Sequence, residues 1–296
     1  MPYSFLRPPA LLAAFLLVLP ALTAPARAVP ITVVGSNSEY GTVDSVTGAY
    51  TGVGSLRDSV TGAPIAVSGI AFGVDNNLYG VTGVDGGTDP ASRYLWRFNP
   101  RTGVSTDRHD LSVALVTVAR RPSDGALFGY NNDSGASTLY DFDLNTYSPT
   151  PLGATNLFTT GALTFDDASN LYLADTGSGS IFRVNPQTGA TSLLATTGST
   201  DLYGMVFADG LLQAFDGTTF ARYTIDTGTG AVTTLSPYSL GNANTSGIVG
   251  AARPVVVAVV PEAGSGAFVL LVVGGGVGLV GRRRRFGRFG GRFDGR

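Results

Sequence analysis

The sequence contains no cysteine and no lysine, and it is poor in charged residues of either sign. The lack of cysteine excludes disulfide bridges, thiol catalysis and cysteine-ligated zinc, so the folded part must be held by its core and its strand pairing. All 19 basic residues are arginine, and charged residues make up 14% of the chain against a typical ~25%. One histidine and two glutamates leave few groups for acid–base chemistry.

Much of the positive charge lies at the two ends of the chain. Residues 29–260 carry 10 arginines against 19 acidic residues, a net charge of about −9. A basic surface for nucleic acid is therefore not expected in this part. The chain has 41 glycines and 44% hydrophobic residues, which is typical of a turn-rich β protein and not of a disordered chain.

The first 28 residues have the three regions of a secretory signal. Arg7 supplies the positive charge, and an apolar stretch rich in leucine and alanine follows from Ala10 to Ala24. Ala26 and Ala28 occupy the small-residue positions of a cleavage site. We expect cleavage by signal peptidase and a mature chain that begins at Val29; the alternative is an uncleaved N-terminal membrane anchor.

The C-terminal region, residues 259–296, has three parts in order. A short motif of Val260, Pro261 and Glu262 comes first, and a charge-free stretch follows from Ser265 to Gly281. The stretch is close to the ~17-residue lower bound for a membrane-spanning helix. The arginines that follow it are Arg282, Arg283, Arg284 and Arg285. Such a cluster keeps the tail on the cytoplasmic side, which predicts that the bulk of the protein lies outside.

These residues resemble the PEP-CTERM sorting signal of Gram-negative bacteria, which consists of a Pro-Glu-Pro motif, a hydrophobic helix and an arginine cluster. Ala263 departs from the pattern, where the family has a second proline, and the tail of residues 286–296 is longer than usual. The resemblance implies removal of the helix by an exosortase after an inner-membrane intermediate. It also implies a final location at the cell surface, in association with exopolysaccharide. The alternative is a permanent C-terminal anchor.

Between these ends, the segment 29–258 repeats a five-residue turn pattern, Asp/Asn-x-x-Thr-Gly. Its copies begin at Asp44, Asn99, Asp143, Asn185 and Asp226, and their threonines are 55, 44, 42 and 41 residues apart. The side chain of the first residue accepts backbone N–H groups, and glycine closes the turn at positive φ. Alternating strands flank each copy, so each copy predicts a β-hairpin. In the third copy Tyr147 stands where the others have glycine, which predicts a different or strained turn.

A second recurring unit, two apolar strands joined by a tight turn, precedes four of the hairpins. Four units of four strands follow, at about 67–110, 114–153, 160–196 and 202–236. Residues 31–54 supply only three strands, and residues 246–250 have the pattern of the missing inner strand. The spacing therefore predicts an all-β fold, a five-bladed β-propeller closed by a strand from the C-terminal side. A six-bladed ring with an extra blade near 54–66 and an open β-sandwich are the alternatives.

Several polar groups are candidates for a site. Asp141, Asp143 and Asn145 begin like a calcium loop but lack the later Gly and Glu. His109 is the only histidine, with Asp110 beside it, and is expected at the surface. We therefore predict no catalytic residue, no bound metal and no cofactor.

Two polar loops and one aromatic position complete the candidates. The loops are residues 85–89 and 131–133, which we interpret as solvated turns. Trp96 occupies a repeated aromatic position, shared with Tyr140 and Phe182, and is expected in the core between blades.

Three functions remain open from the sequence. The first is a non-catalytic surface protein that binds partners such as exopolysaccharide, with signal peptidase and exosortase as its processing enzymes. The second is a metal-dependent propeller enzyme, lactonase-like or lyase-like, because propellers support many activities. Carboxylates converging on the ring axis would favour it. The third is a purely structural secreted protein without a specific ligand.

Overall fold

A computed structural model describes residues 29–82, 93–132, 137–157, 160–239 and 247–254. These residues form twenty β-strands in five antiparallel four-stranded sheets. The innermost strand of each sheet contacts the innermost strand of the next, which arranges the five sheets in a ring. The fold is a five-bladed β-propeller, as the spacing predicts. Among the residues described there is no helix long and apolar enough to cross a membrane.

Blades 2 to 5 are each built from four consecutive strands, ordered from the ring axis outwards. Blade 2 comprises β4 (Gly69–Phe72), β5 (Leu78–Val81), β6 (Tyr94–Phe98) and β7 (Ser105–Asp110). Blade 3 comprises β8 (Thr117–Arg120), β9 (Leu127–Tyr130), β10 (Thr138–Asp143) and β11 (Ser148–Ala154). Blade 4 comprises β12 (Thr160–Phe165), β13 (Leu171–Asp175), β14 (Ser180–Val184) and β15 (Thr191–Thr196). Blade 5 comprises β16 (Leu202–Ala208), β17 (Leu211–Asp216), β18 (Arg222–Ile225) and β19 (Val232–Leu235).

Blade 1 joins the two ends of the described chain. It comprises β1 (Pro30–Gly35), β2 (Glu39–Asp44), β3 (Tyr50–Ser55) and, on the inner side of β1, β20 (Ile248–Ala252). Strand β20 pairs antiparallel with β1 and places Val33 opposite Ala251. The predicted closing strand is confirmed, and it covers an edge of β1 that would otherwise be open to pairing with another chain.

The core lies between the blades, in five clusters of buried side chains. Each cluster takes residues from two neighbouring blades, so the two inner strands of a blade are buried on both faces. This explains the continuous apolar runs of strands such as β4 and β5, whereas the rim strand β3 is mostly exposed. Trp96 and Tyr140 lie in two of these clusters, as expected, and Phe182 is only half-buried.

The repeated hairpins have the bonding that the sequence pattern requires. In the first copy, Asp44 Oδ1 accepts from the N–H groups of Val46 (3.0 Å) and Thr47 (2.7 Å), and the Gly48 N–H donates to the Asp44 carbonyl (2.9 Å). Gly48 has a φ of 76°. The copies at Asn185 and Asp226 repeat this arrangement. The copy at Asn99 keeps the bonds from Arg101 and Gly103, while the Thr102 N–H donates to the Asn99 carbonyl, so the local pattern codes for one turn.

Glycine in the hairpins also allows close contact between blades. A Cβ on Gly103 would lie 2.6 Å from the carbonyl oxygen of Ser55, and one on Gly189 would lie 2.7 Å from that of Gly153. Each of these carbonyls belongs to the outer strand of the preceding blade. The hairpin of one blade therefore rests on the end of its neighbour's outer strand, with no room for a side chain.

The third hairpin keeps the turn without glycine. Tyr147 has a φ of 54°, and its N–H donates to the Asp143 carbonyl at 2.7 Å, as glycine does in the other copies. The prediction of strain is confirmed in that a bulky residue occupies the left-handed region. The Tyr147 ring stacks on His109 of blade 2, with centroids 3.3 Å apart and planes 9° apart. Aromatic stacking thus replaces the backbone contact made by glycine elsewhere.

A sixth copy of the turn, Asp58 to Gly62, was not among the five identified from the sequence. Asp58 Oδ1 accepts from Val60 N–H (2.7 Å) and Thr61 N–H (3.3 Å), and Arg57 pairs with Pro64 across the turn. We call residues 57–64 the extra hairpin. It adds to the rim of blade 2 through a parallel bridge between Arg57 and Val104, so the alternative of a sixth blade near 54–66 is wrong.

A buried arginine strengthens the junction between blades 5 and 1. Arg222 is fully buried, and its guanidinium donates to the carbonyls of Ser45 (2.8 Å), Val46 (3.0 Å), Ser236 (3.1 Å) and Asp44 (3.2 Å). Burial lowers the pKa of Arg222, and the charge of Asp44 opposes that effect. Four backbone acceptors therefore satisfy a charge that would be costly to bury alone.

Candidate functional site

A groove of about 530 Å³ runs along the rim of blade 2, between the extra hairpin and β7. Its volume falls within the range of ~300–1,000 Å³ common for ligand pockets. The residues that line it are Asp58, Ser59, Val60, Thr61, Trp96, Ser105, Thr106, Asp107 and Arg108. We call this the rim groove. It exists because blade 2 carries an additional hairpin at its outer edge.

Trp96 contributes the aromatic part of the rim groove. It is 7% exposed, stacks on Phe98 with centroids 6.2 Å apart, and meets Tyr94 edge-on at 6.2 Å. Its Nε1 is buried and has no acceptor among the residues that the structure describes. An unsatisfied buried donor costs about 1–3 kcal/mol, so a ligand that supplies an acceptor here would recover that cost.

Arg108 covers this aromatic pair from the outer strand. Its guanidinium carbon lies 4.6 Å from the ring centroid of Tyr94 and 5.6 Å from that of Trp96. Within the described part of the chain, no carboxylate pairs with this guanidinium, and the side chain is exposed. Its planar set of donors is therefore available to a ligand in the groove.

Hydrogen bonds between serines join the extra hairpin to β7 in the rim groove. The Ser59 N–H donates to Ser105 Oγ at 2.9 Å, and the two serine hydroxyls are 3.3 Å apart. Val60 is 91% exposed at the tip of the hairpin. The groove thus combines hydroxyls, a guanidinium and carboxylates with an aromatic residue, a set suited to a polar ligand that both donates and accepts hydrogen bonds.

His109 lies next to the rim groove and takes part in contacts between blades. Its Nε2 and Asp107 Oδ2 are 2.9 Å apart, and its ring stacks on Tyr147. It keeps 25% of its side-chain exposure on the outer strand of blade 2, as expected of a surface residue, and Tyr147 of the neighbouring hairpin covers one face of its ring.

The calcium-like sequence at Asp143 forms a turn. Asp143 Oδ1 accepts from the backbone N–H of Asn145 at 2.8 Å and from its Nδ2 at 3.1 Å. The backbone N–H of Asn145 is the main cause that holds the pKa of Asp143 below its usual value. Across the described ranges, no group of three His, Cys, Asp or Glu side chains could hold a metal ion.

The polar loop at 131–133 differs from the expectation of a solvated turn. Asn131 is 1% exposed and Asn132 is 6% exposed. Asn131 Oδ1 accepts from the Thr138 N–H at 2.8 Å, and Ser137 Oγ donates to Asn132 Oδ1 at 3.2 Å. These side chains join two neighbouring strands of blade 3, a role that the polar sequence does not reveal. Asp133 and the loop at 85–89 lie outside the described residues.

At the ring axis there is a narrow cavity of about 50 Å³, lined by the inner strands of all five blades. Its described lining contains no carboxylate. The predicted processing residues, Ala26, Ala28, Val260, Pro261, Glu262, Arg282, Arg283, Arg284 and Arg285, lie outside the described residues.

Comparison with known proteins identifies the fold and no family. No protein-family model and no curated protein match the chain. A chain in the crystal structure of a nidogen/laminin complex has a TM-score of 0.51 at 16% identity, covering 76% of this chain and 98% of that chain. This likeness agrees with the propeller architecture built above from strand order.

Two other solved structures are similar at a lower level. An auxiliary nutrient binding protein from Bacteroides ovatus has a TM-score of 0.47 at 14% identity, covering 74% of this chain and 59% of that chain. A catalytically inactive virginiamycin B lyase from Staphylococcus aureus with quinupristin has a TM-score of 0.44 at 12% identity, covering 74% and 73%. None of these likenesses shows a family for the chain.

Proposed function

We propose that this protein is an exported, non-catalytic binding propeller displayed at the cell surface, and that the rim groove contacts its ligand. The observation that carries the proposal is Trp96, which lines the groove and whose buried Nε1 has no acceptor among the described residues. The chain of the nidogen/laminin complex is a propeller of similar extent in a complex between proteins, which supports a binding role for such a ring.

The use of the acidic side chains supports binding over catalysis. Asp44, Asp58, Asp143 and Asp226 each accept backbone N–H groups within a hairpin. Those bonds lower the pKa of Asp44, Asp143 and Asp226, with the N–H groups of Thr47, Asn145 and Thr229 as the main causes. Carboxylates held ionised in turns are poorly suited to proton transfer near neutral pH.

Export and sorting complete the proposal. Signal peptidase removes residues 1–28, and an exosortase recognises the motif at Val260, Pro261 and Glu262 after the C-terminal helix has paused in the inner membrane. The charge-free stretch and the arginines behind it support this order of events. The host is then a Gram-negative bacterium, and the mature propeller lies at its surface or outside the cell.

Intact mass of the mature protein from its native host tests the sorting step. We expect an N-terminus at Val29 and the loss of everything from the neighbourhood of Glu262 onwards. A double substitution, Pro261→Ala with Glu262→Ala, should leave the tail attached and the protein in the membrane fraction. A mature wild-type protein that still carries residues 286–296 would contradict the proposal.

Binding to purified host exopolysaccharide, our proposed ligand, tests the groove. Trp96→Phe removes the indole N–H and keeps an aromatic ring, so it should weaken binding about three- to tenfold, the worth of one hydrogen bond. Arg101→Ala, in an exposed turn of the same blade, is the control and should bind as the wild type does. Equal affinity of all three proteins in a thermophoresis titration would exclude the groove.

A further inference from the structure

One position of the blade repeat, at the ring axis, is phenylalanine in three blades and arginine in the other two. The register of the inner two strands pairs Phe72 with Leu78 and Arg120 with Leu127, so these residues are equivalent. The same comparison gives Phe165 in blade 4 and Phe207 in blade 5. In blade 1 it gives Arg253, which directly follows Ala252, the last residue of β20. These five residues, which all line the axial cavity, are Arg253, Phe72, Arg120, Phe165 and Phe207.

Three blades show what the fold needs at this position. Phe72 and Phe165 are 5% exposed and belong to the cores between blades. An aromatic side chain therefore satisfies the packing here. The arginines of blades 1 and 3 are departures that packing does not require, and both bring a positive charge to the mouth of the same cavity.

The two arginines differ in their partners. Arg253 forms an ion pair with Asp167, which comes from the turn after the inner strand of blade 4. Arg120 is half-buried and has neither an ion pair nor a hydrogen-bond acceptor among the described residues. Burial lowers the pKa of Arg120, and the positive charge of Arg253 lowers it further. Two guanidinium groups therefore line the cavity; that of Arg253 is paired with a carboxylate outside the lining, and that of Arg120 has no such partner among the described residues.

We propose that the axial mouth binds one oxyanion group, a carboxylate, sulfate or phosphate, with Arg120 as its main contact and Arg253 as the second. A guanidinium presents paired donors that match the oxygens of such groups. The phenylalanines that line the cavity make its surroundings less polar than bulk water, in which the same attraction would be weaker. The cavity of about 50 Å³ exceeds the ~10–15 Å³ that one water requires, so it has room for a small head group.

This site is separate from the rim groove and goes beyond the proposed function, because it lies at the axis and selects for charge. A protein that used both would hold its main ligand at the rim and an anionic group at the axis. The two sites can be tested independently, since Trp96→Phe should leave anion binding unchanged.

Titration with inorganic phosphate at constant ionic strength tests the proposal, using the full chain in a nonionic detergent. Calorimetry should show saturable binding, and at ten times the Kd the melting temperature should rise by about 3–6 °C. Chloride replaces phosphate in the reference samples, because non-specific salt effects on stability must be the same in both.

Arg120→Phe is the decisive variant, because phenylalanine already fills this position in three blades. It should fold, and it should lose both the heat of binding and the rise in melting temperature. Arg120→Gln gives a second variant close in shape if the first does not fold, and Arg101→Gln is the control that keeps the response. Absence of a saturable response in the wild type, or an undiminished response in Arg120→Phe, would overturn the proposal.

Discussion

Arg222 shows how much one side chain can contribute to the closure of the ring. Its guanidinium belongs to blade 5, yet three of its four carbonyl acceptors belong to the hairpin of blade 1. Removing it leaves these carbonyls facing a cavity at the junction between blades 5 and 1. The buried guanidinium is satisfied without a carboxylate, because backbone carbonyl oxygens at 2.8–3.2 Å accept its hydrogen bonds.

We expect Arg222→Ala to lower the free energy of unfolding by about 3–5 kcal/mol, because buried carbonyls lose their donors and the removed side chain leaves a cavity. Urea denaturation followed by circular dichroism measures the change. Arg101→Ala, at an exposed position of a hairpin, should change the free energy by less than about 0.5 kcal/mol. Similar values for the two variants would show that the buried guanidinium does not hold blades 5 and 1 together.

At the scale of the element, the repeated hairpin has two roles that can be separated. Gly62 and Gly189 both close an Asp/Asn-x-x-Thr-Gly turn, at φ values of 70° and 73°. A Cβ on Gly62 would meet nothing within 4 Å, whereas one on Gly189 would collide with the backbone of blade 3. Comparing substitutions at Gly62 and Gly189 therefore separates the cost of the left-handed backbone conformation from the cost of disturbing the contact between blades.

Gly62→Ala should cost about 1–2 kcal/mol, the penalty of a left-handed alanine. Gly189→Ala should cost a further ~1–3 kcal/mol, because the outer strand of blade 3 must move away. Both values come from the same urea denaturation experiment. If the two substitutions cost the same, the hairpins do not rest tightly on the neighbouring blades.

The hairpin carboxylates also predict how stability depends on pH. The N–H groups of Thr229 and Gly228 lower the pKa of Asp226, so the ionised form is favoured in the folded state. That contribution is complete above the unfolded pKa of about 3.9 and is lost as the pH falls through the lower folded value. The urea midpoint should therefore fall when the pH is lowered from 5 to 3.

Asp226→Asn should reduce that fall, because the amide oxygen accepts the same bonds and does not titrate. Asn99 and Asn185 already occupy the equivalent position in two other blades, so the turn tolerates the change. The measurement is the urea midpoint of both proteins at pH 5, 4 and 3. An unchanged pH dependence would mean that Asp226 contributes nothing to acid sensitivity.

At the scale of the whole molecule, β20 decides whether the ring is closed. It supplies the inner strand of blade 1, and its side chains take part in the cores on both sides of that blade. A chain ending at residue 246 should unfold at lower urea concentration and associate, because β1 then presents an open edge and the cores at blade 1 lose their inner face. A chain ending at residue 254 keeps β20 and is the control. Gel filtration and urea denaturation compare the two, and equal behaviour would contradict closure by β20.

Most of the fold could be predicted from the sequence because the determining patterns are local. Alternating apolar residues marked the strands, and Asp/Asn-x-x-Thr-Gly marked the hairpins, so the period gave five blades and a strand borrowed from the C-terminal side. The copy at Asp58 has the same Asp-x-x-Thr-Gly pattern. The segments that flank it are too short for the sequence to distinguish an extra hairpin from a degenerate blade.

The candidate sites depended on contacts that no local pattern contains. Trp96 lies in a repeated core position, as the sequence indicated, and only the extra hairpin turned its surroundings into a groove. Arg120 and Arg253 are far apart in the chain, and the ring brings both to the axis because Arg120 ends one inner strand and Arg253 directly follows another. Sequence alone therefore determined strands, turns and blade number, which follow from neighbouring residues. Tertiary structure decided which polar groups meet, because that depends on how the blades close around one axis.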